Sequence, residues 1–276
     1  MKAGLVQLCS GDDPVANLAA TRDLIAQAAA QGAGFVLTPE VTNCVSQDRA
    51  HQRDVLQHEE DDITLAGLRA TARDLGIWLS IGSLALKTGD ADGRFANRSF
   101  LIDPTGAIMA RYDKIHMFDV DVSATETFRE SAGYRPGDKA VVAQTPFGRL
   151  GLTICYDIRF AYLHRALAQA GADILLVPAA FSPVTGAAHW EPLLRARAIE
   201  TGCFVLAAAQ TGSHPIRHGK PRQTHGHSMA ISPWGEVLVD MSTKTGTAIV
   251  DLDLTKVAQS RQRIPALTHD CPFEGP

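Results

Sequence analysis

The sequence predicts an α/β protein in which two mixed β-sheets are stacked face to face. Three observations carry this expectation. The first eighty or so residues alternate short apolar, β-prone runs with amphipathic helical stretches, the pattern of layered α/β folds. Strong two-strand turns in the middle of the chain argue against a purely parallel sheet. Strand-like runs number roughly ten or more, too many for one small open sheet.

Taken in order, Leu5 to Leu8 reads as a first strand. Asp13 then caps a helix with Pro14 at its first position; Val15, Leu18, Ile25 and Ala29 share one face, and Gly32 ends it. Gly34 to Leu37 is a short buried strand that stops at Thr38-Pro39-Glu40, since the residue before proline is pushed to extended geometry. Thr64 is expected to cap a helix carrying Leu65, Leu68, Ala72 and Leu75 and closed by Gly76, with Ile77 to Gly82 following as a strand. Asn97–Ile102 and Ala107–Tyr112 flank the turn Asp103-Pro104-Thr105-Gly106. Val141–Gln144 and Leu150–Ile154 flank Thr145-Pro146-Phe147-Gly148, and Met229–Ser232 and Val237–Val239 flank Pro233-Trp234-Gly235. Between these lie a helix from Phe160 to Ala170, a strand at Ile174–Val177, a helix from about His189 to Thr201 and a strand at Phe204–Ala208. Ile249–Leu252 reads as the last strand, before a short helix and an irregular tail.

The 276 residues show no repeat and no composition shift that marks a linker, so a single domain over 1–276 is expected. Hydrophobic residues at 45% and charged residues at 20% suit a globular protein with ample core. Lys and Arg total 26 against 30 Asp and Glu, a net charge of −4 that leaves no basic footprint for nucleic acid or an anionic membrane. Cys9, Cys44, Cys155, Cys203 and Cys271 are odd in number and lack Cys-x-x-Cys spacing, which fits a reducing, cytoplasmic setting better than disulfides or structural zinc. No apolar run has the length of a membrane span, and Met1–Gln7 is strand-like where a signal peptide needs a longer apolar stretch.

The chemistry centres on Arg149 to Phe160. An apolar strand ends abruptly at Cys155 and a helical segment follows, a passage that lifts one side chain out of the sheet and aims the next backbone N–H at a developing oxyanion. Glu40 lies just past another strand end in an apolar setting, and Lys114 just past a hairpin strand. A thiol needs a base, which a carboxylate in a dry site with a raised pKa supplies. A tetrahedral intermediate needs a cation or N–H donors at its oxygen, which a lysine supplies. Glu40, Lys114 and Cys155 thus make a complete set for acyl transfer from an amide, without any histidine. His225-Gly226-His227 invites a metal reading, but alternating histidines in a strand more often serve hydrogen bonding, and no metal is expected. The helix bearing Arg195, Arg197 and Glu200 is expected to use them in internal ion pairs or a subunit contact.

On these residues the sequence resembles the nitrilase superfamily of carbon–nitrogen hydrolases along nearly its whole length. Thr38-Pro39-Glu40 is similar to the family's glutamate motif, Tyr112-Asp113-Lys114-Ile115-His116 to its lysine motif, and Gly151 to Asp157 to its cysteine motif, in the family's order. Phe128-Arg129-Glu130-Ser131 is similar to the segment holding a supporting second glutamate. The resemblance extends to the Nit branch through Lys114 to Asp121 and Cys155 to Phe160. Within it, Thr185 to Glu191, Leu194 to Thr201 and Phe204 to Gln210 resemble the deaminated glutathione amidases more than the ω-amidases. The loop Val122–Thr127, which should border the pocket, lacks the Pro-Gly pair often found there.

The resemblance implies a four-layer αββα sandwich, a homodimer or larger homo-oligomer paired through its outer layers, and a cysteine thioester formed on a small amide without a cofactor. Glu40 is then the base, Cys155 the nucleophile, and Lys114 with the Tyr156 N–H the oxyanion donors, with Glu130 in support. For substrate binding, Arg159 is a candidate for a substrate carboxylate. Phe181 and His189 fall in a segment expected to form the other wall, and Asp157 completes the set. Two rivals differ in their consequences: a papain-like peptidase pairs Cys155 with a histidine and is indifferent to Lys114, whereas a non-catalytic binding protein carries a thiol of ordinary reactivity.

Overall fold

Strand β1 (Lys2–Gln7) is buried on both faces, and its alternation divides two cores. The computed structural model describes residues 1–123, 126–217 and 221–275. Ala3 and Leu5 point into the space between two sheets while Val6 points under the helices. Helix α1 (Pro14–Ala30) starts where Asp13 accepts from the N–H groups of Val15 and Ala16. Strand β2 (Phe35–Leu37) repeats the alternation, with Phe35 and Leu37 between the sheets and Val36 against α1. Each such fully buried side chain stabilises the fold by about 1.5–3 kcal/mol.

A short helix α2 (Arg49–Val55) follows, unforeseen in the sequence, then α3 (Ile63–Leu75). The cap of α3 is Asp62, which accepts from the Leu65 N–H at 2.7 Å; Thr64, the expected cap, lies inside the first turn. A carboxylate two positions earlier out-competes the hydroxyl for the free N–H groups of the helix start. Strand β3 (Trp78–Lys87) runs past its expected end at Gly82 through a register shift, then β4 (Phe95–Ile102) and β5 (Ile108–Asp113) follow in a sheet whose order is β1-β2-β3-β4-β5 with the chain's last strand, Gly246–Asp251, outside β1.

A hairpin of β6 (Asp119–Ser123) and β7 (Glu126–Arg129) stands apart from both large sheets. It replaces most of the loop Val122–Thr127, of which Ala124 and Thr125 lie outside the described residues. The second sheet takes β8 (Val141–Thr145), β9 (Gly148–Leu152), β10 (Ile174–Leu176) and β11 (Phe204–Ala207), with helix α4 (Ala161–Gln169) joining β9 to β10 and helix α5 (Pro183–Thr201) joining β10 to β11. Helix α5 begins at Pro183, six residues before the expected start. After the small ribbon β12 (Thr211–Ser213) and β13 (Gln223–His225) come β14 (Met229–Ile231) and β15 (Val237–Asp240). The order is β15-β14-β11-β10-β9-β8, and β16 (Gly246–Asp251) returns antiparallel to β1 before helix α6 (Thr255–Arg263).

The two sheets share one apolar layer in which Leu5, Phe35 and Leu37 meet Leu152, Leu176 and Leu206. Helices α1 and α3 cover one outer face through Ile25, Ala28, Leu65 and Leu68, and α4 and α5 cover the other through Leu163, Leu167, Trp190 and Leu194. The result is the four-layer αββα sandwich, with both sheets mixed. No helix among the described residues is long and apolar enough to cross a membrane.

Candidate active site

Cys155 stands where β9 runs out. The Thr153 N–H and hydroxyl both donate to the Leu176 carbonyl, at 3.2 and 2.7 Å, and the Cys155 N–H donates to Pro178 O at 2.8 Å. The backbone then turns left-handed at Cys155 (φ 50°) and enters a 3₁₀ turn, Cys155–Arg159, that leads into α4. A non-glycine residue in this conformation costs on the order of 1–3 kcal/mol and persists only where its surroundings impose it. Asp157 is part of that imposition. Its Oδ2 accepts from the Ile154 N–H (2.8 Å) and the Tyr112 hydroxyl (2.6 Å), and its Oδ1 accepts from the His116 N–H (3.0 Å) and lies 2.7 Å from His116 Nδ1. Both oxygens are thus occupied and the residue is fully buried. This corrects the expectation that Asp157 contacts substrate: it fastens the segment flanking Lys114 to the cysteine turn.

Glu40 lies three residues past the end of β2 and is followed by a second left-handed residue, Val41 (φ 46°), whose N–H donates to Ser83 Oγ at 2.8 Å. Gly82, beside it, is obligatory, because a Cβ there would lie 2.0 Å from Thr38 O and 2.5 Å from the Pro178 side chain. Lys114, at the end of β5, is no solvated edge lysine: it is buried, with Nζ 2.9 Å from Glu40 Oε1 and 2.8 Å from Glu130 Oε2. Glu130 also accepts from the Phe118 N–H at 2.7 Å. Glu40 also takes Asn97 Nδ2 at 2.8 Å on Oε1 and the Ala180 N–H at 2.8 Å on Oε2. Asn97 Nδ2 also lies 3.4 Å from Glu130 Oε1, so one amide touches both carboxylates.

The charges set one another. Burial alone pushes the Glu40 carboxyl up, but the neighbouring Lys114 and Arg222 cations and the hydrogen bonds from Lys114 and Cys155 outweigh it and hold the pKa below its ordinary value. The sequence-based expectation of a raised carboxylate is thereby reversed. Burial likewise works against the Lys114 ammonium, and Glu130 and Glu40 more than compensate, holding its pKa well above the ordinary lysine value. The Cys155 thiol is pushed far up by burial and by the Glu40 charge, with Lys114 and the Ala180 N–H pulling the other way. At rest the trio is therefore carboxylate, ammonium and neutral thiol.

These groups open into one cavity of about 240 Å³. Glu40, Lys114, Glu130 and Cys155 line it, together with Tyr156, Phe181, Phe118, Phe128 and the guanidinium-bearing Arg49, Arg129 and Arg222. Phe181 is part of this lining. Arg159 and His189 are not in the lining: Arg159 leans over the Tyr156 and Phe181 rings, at 5.9 and 5.5 Å, and its Nη2 lies 3.2 Å from His189 Nδ1. Asn97, Arg49 and Arg222 escaped the sequence reading. His225 and His227 stack at 4.6 Å, His227 facing Asp240 at 3.0 Å, and no group of His, Cys, Asp or Glu suited to a metal ion occurs among the described residues. Arg195 pairs with Glu191 and Arg197 with Glu200, as internal ion pairs on α5.

Residues 2–262 match the carbon–nitrogen hydrolase family. Among curated relatives, the deaminated glutathione amidase of Yersinia enterocolitica is 42% identical over 267 residues, covering 96% of this chain and 91% of that one. The human deaminated glutathione amidase is 38% identical over 269 residues, covering 96% and 81%. Among solved structures, the Caenorhabditis elegans NitFhit protein superposes with a TM-score of 0.90 at 36% identity over 98% of this chain, which spans 64% of that longer one. An amidase mutant from Nesterenkonia sp. AN1, showing acrylamide added at the active-site cysteine, superposes with a TM-score of 0.77 at 28% identity, over 96% of this chain and 98% of that one. With the sandwich, the family match over residues 2–262 and relatives this similar along almost its full length, the chain belongs to the carbon–nitrogen hydrolases of the nitrilase superfamily, and it hydrolyses amides.

Proposed function

We propose that Cys155 attacks the carbonyl carbon of a small carboxylic-acid amide and carries its acyl group as a thioester. As sulfur bonds to carbon, the thiol proton passes to Glu40 and the carbonyl oxygen becomes an oxyanion held by Lys114 Nζ and the Tyr156 N–H. The C–N bond then breaks, with Glu40 returning the proton to the leaving amine. Water attacks the thioester, gives its proton to Glu40, and the acid departs as the thiol is re-formed. Glu130 keeps Lys114 in place throughout. The observation that supports this most is the single ammonium within 2.9 Å of both Glu40 and Glu130, in a cavity that Cys155 also lines. No cofactor enters these steps.

Deaminated glutathione is the proposed substrate: a γ-linked α-keto acyl group with a cysteinylglycine amine. The relatives' name supports it, and so does a cavity lined by Arg49 and Arg222, neither of which forms a direct ion pair among the described residues. 2-Oxoglutaramate, with the same acyl group and ammonia as the leaving amine, is the alternative. The protein is further proposed to be a single cytoplasmic domain, consistent with five unpaired cysteines. It is also proposed to pair with a second copy through the outer helices, where Tyr162, Val184 and Ile199 are exposed.

Cys155→Ala is expected to abolish turnover without loss of fold, because only the sulfur is removed. Intact-mass spectrometry after brief exposure to substrate should show an acyl adduct on the wild type alone. Full activity of the alanine variant ends the covalent proposal, and a tenfold or greater preference for 2-oxoglutaramate in kcat/KM transfers the substrate assignment to it.

A further inference from the structure

Four cations line the cavity, and their partners differ. Lys114 is shared by Glu40 and Glu130, and Arg129 is bound by both oxygens of Asp121. Arg222 and Arg49 form no direct ion pair with a carboxylate among the described residues, although the charge of Arg222 is felt at Glu40. Arg222 Nη2 donates to the carbonyl of Ala180 at 2.6 Å, and Arg49 Nη1 donates to Gln52 Oε1 at 2.6 Å while its guanidinium lies 5.0 Å over the Tyr134 ring. A guanidinium carries five N–H groups in a planar fork suited to a carboxylate, and one neutral carbonyl leaves most of the fork of Arg222 unused.

The two arginines stand on different parts of the wall. Ala180 joins Arg222 to the base: its carbonyl takes the arginine and its N–H donates to Glu40 Oε2 at 2.8 Å. Arg49 instead lies against Gly133, next to the turn that begins at Glu130. In an amide placed for attack, the nitrogen must face the group that protonates it, so the amine half of the substrate extends on the Glu40 side.

We propose that Arg222 is a specificity residue that receives the carboxylate of the substrate's amine half. The assignment rests on the amidase reading above and deepens it: it selects amides whose leaving amine is itself an acid, as a dipeptide is, over amides that release ammonia. It leaves Arg49 for the carboxylate of the acyl half, so that the two guanidiniums without a direct ion pair answer the two carboxylates of deaminated glutathione.

The test compares kcat/KM on deaminated glutathione, its C-terminal carboxamide and 2-oxoglutaramate, all of which yield 2-oxoglutarate as a common, measurable product. Arg222→Leu should lower the value for deaminated glutathione by about 10–100-fold more than that for the other two, the effect of losing one charge-assisted pair, whereas the loss of its charge beside Glu40 acts on all three substrates alike. Arg222→Lys should fall between, since an ammonium keeps the charge and loses the fork. Arg49→Leu should lower all three together. Equal loss on all three substrates with Arg222→Leu, or no loss, overturns the subsite while the amidase reading stands. A wild type that is indifferent to the terminal carboxylate also overturns it. If the wild type releases 2-oxoglutarate from none of the three, the substrate reading itself falls and the subsite with it. Thermal unfolding of each variant separates these outcomes from misfolding.

Discussion

At the scale of single residues, the site stores its nucleophile as a thiol. With one ammonium between two carboxylates, a thiolate would add a third negative charge to a dry space, so the proton leaves sulfur only as the carbonyl oxygen takes up charge beside Lys114. The pH dependence follows from the directions of the shifts. Glu40 remains ionised down to below the ordinary carboxylate range, while Lys114 and Cys155 keep their protons well above theirs. The kcat/KM profile should therefore be flat from about pH 5.5 to 9, without a limb near the ordinary histidine value of about 6.5. A limb there in stopped-flow or steady-state profiles favours a histidine base, as in a papain-like enzyme. Lys114→Ala should cost about 10²–10³ in kcat, the usual effect of removing an oxyanion donor. Glu130→Gln, which keeps the shape and a hydrogen-bond acceptor, should cost distinctly less in the same assay.

At the scale of elements, Asp157 does for the turn what packing does for the strands. It ties the Ile154 N–H, the Tyr112 hydroxyl and the His116 N–H to one carboxylate, so β5 and the cysteine turn keep a fixed separation. Asp157→Asn replaces an acceptor-only group with one whose NH₂ faces donors, which should cost about 1–3 kcal/mol in urea unfolding. A larger fractional loss in kcat than in KM should accompany it. An asparagine variant with wild-type stability and rate counts against the tether. The strands and most helices were legible because their periods are set by burial: β1 and β2 alternate between two cores, and Asp13 with Pro14 announces α1. Glu40, Lys114 and Cys155 were legible because each follows a strand end. Asn97 was not, since it sits inside β4 between residues of ordinary strand character, and only its amide at a buried position hinted at a role. Arg222 belongs to no periodic stretch of sequence, and its place on the wall depends on contact with Ala180, 42 residues away in sequence.

At the scale of the whole molecule, two buried histidines outside the site make stability sensitive to acid. Burial pushes the pKa of His164 and of His214 down to about 4. The unfolded chain binds those protons from about pH 6.5 downward, so their neutral forms contribute full stability above that value, lost as pH falls toward 4. By pH 5 the loss is on the order of 2 kcal/mol for each. Glu40, lowered in the fold, adds its own loss only at still lower pH. Urea midpoints should thus fall between pH 7 and 5, and His164→Gln should shrink the drop; a midpoint constant over that range disproves the account. The division of the sandwich has a practical consequence as well. Glu40, Asn97, Lys114 and Glu130 all precede the exposed stretch Asp138-Lys139-Ala140, whereas Cys155, Ala180 and Arg222 all follow it. A chain severed there yields two fragments, one holding the base and the ammonium, the other the sulfur, and each chemically mute alone. The second fragment also carries β16, which must find β1 on the first. Mixing the two turns amide hydrolysis into a gauge of noncovalent reassembly, with product appearing only as the sheets close on each other.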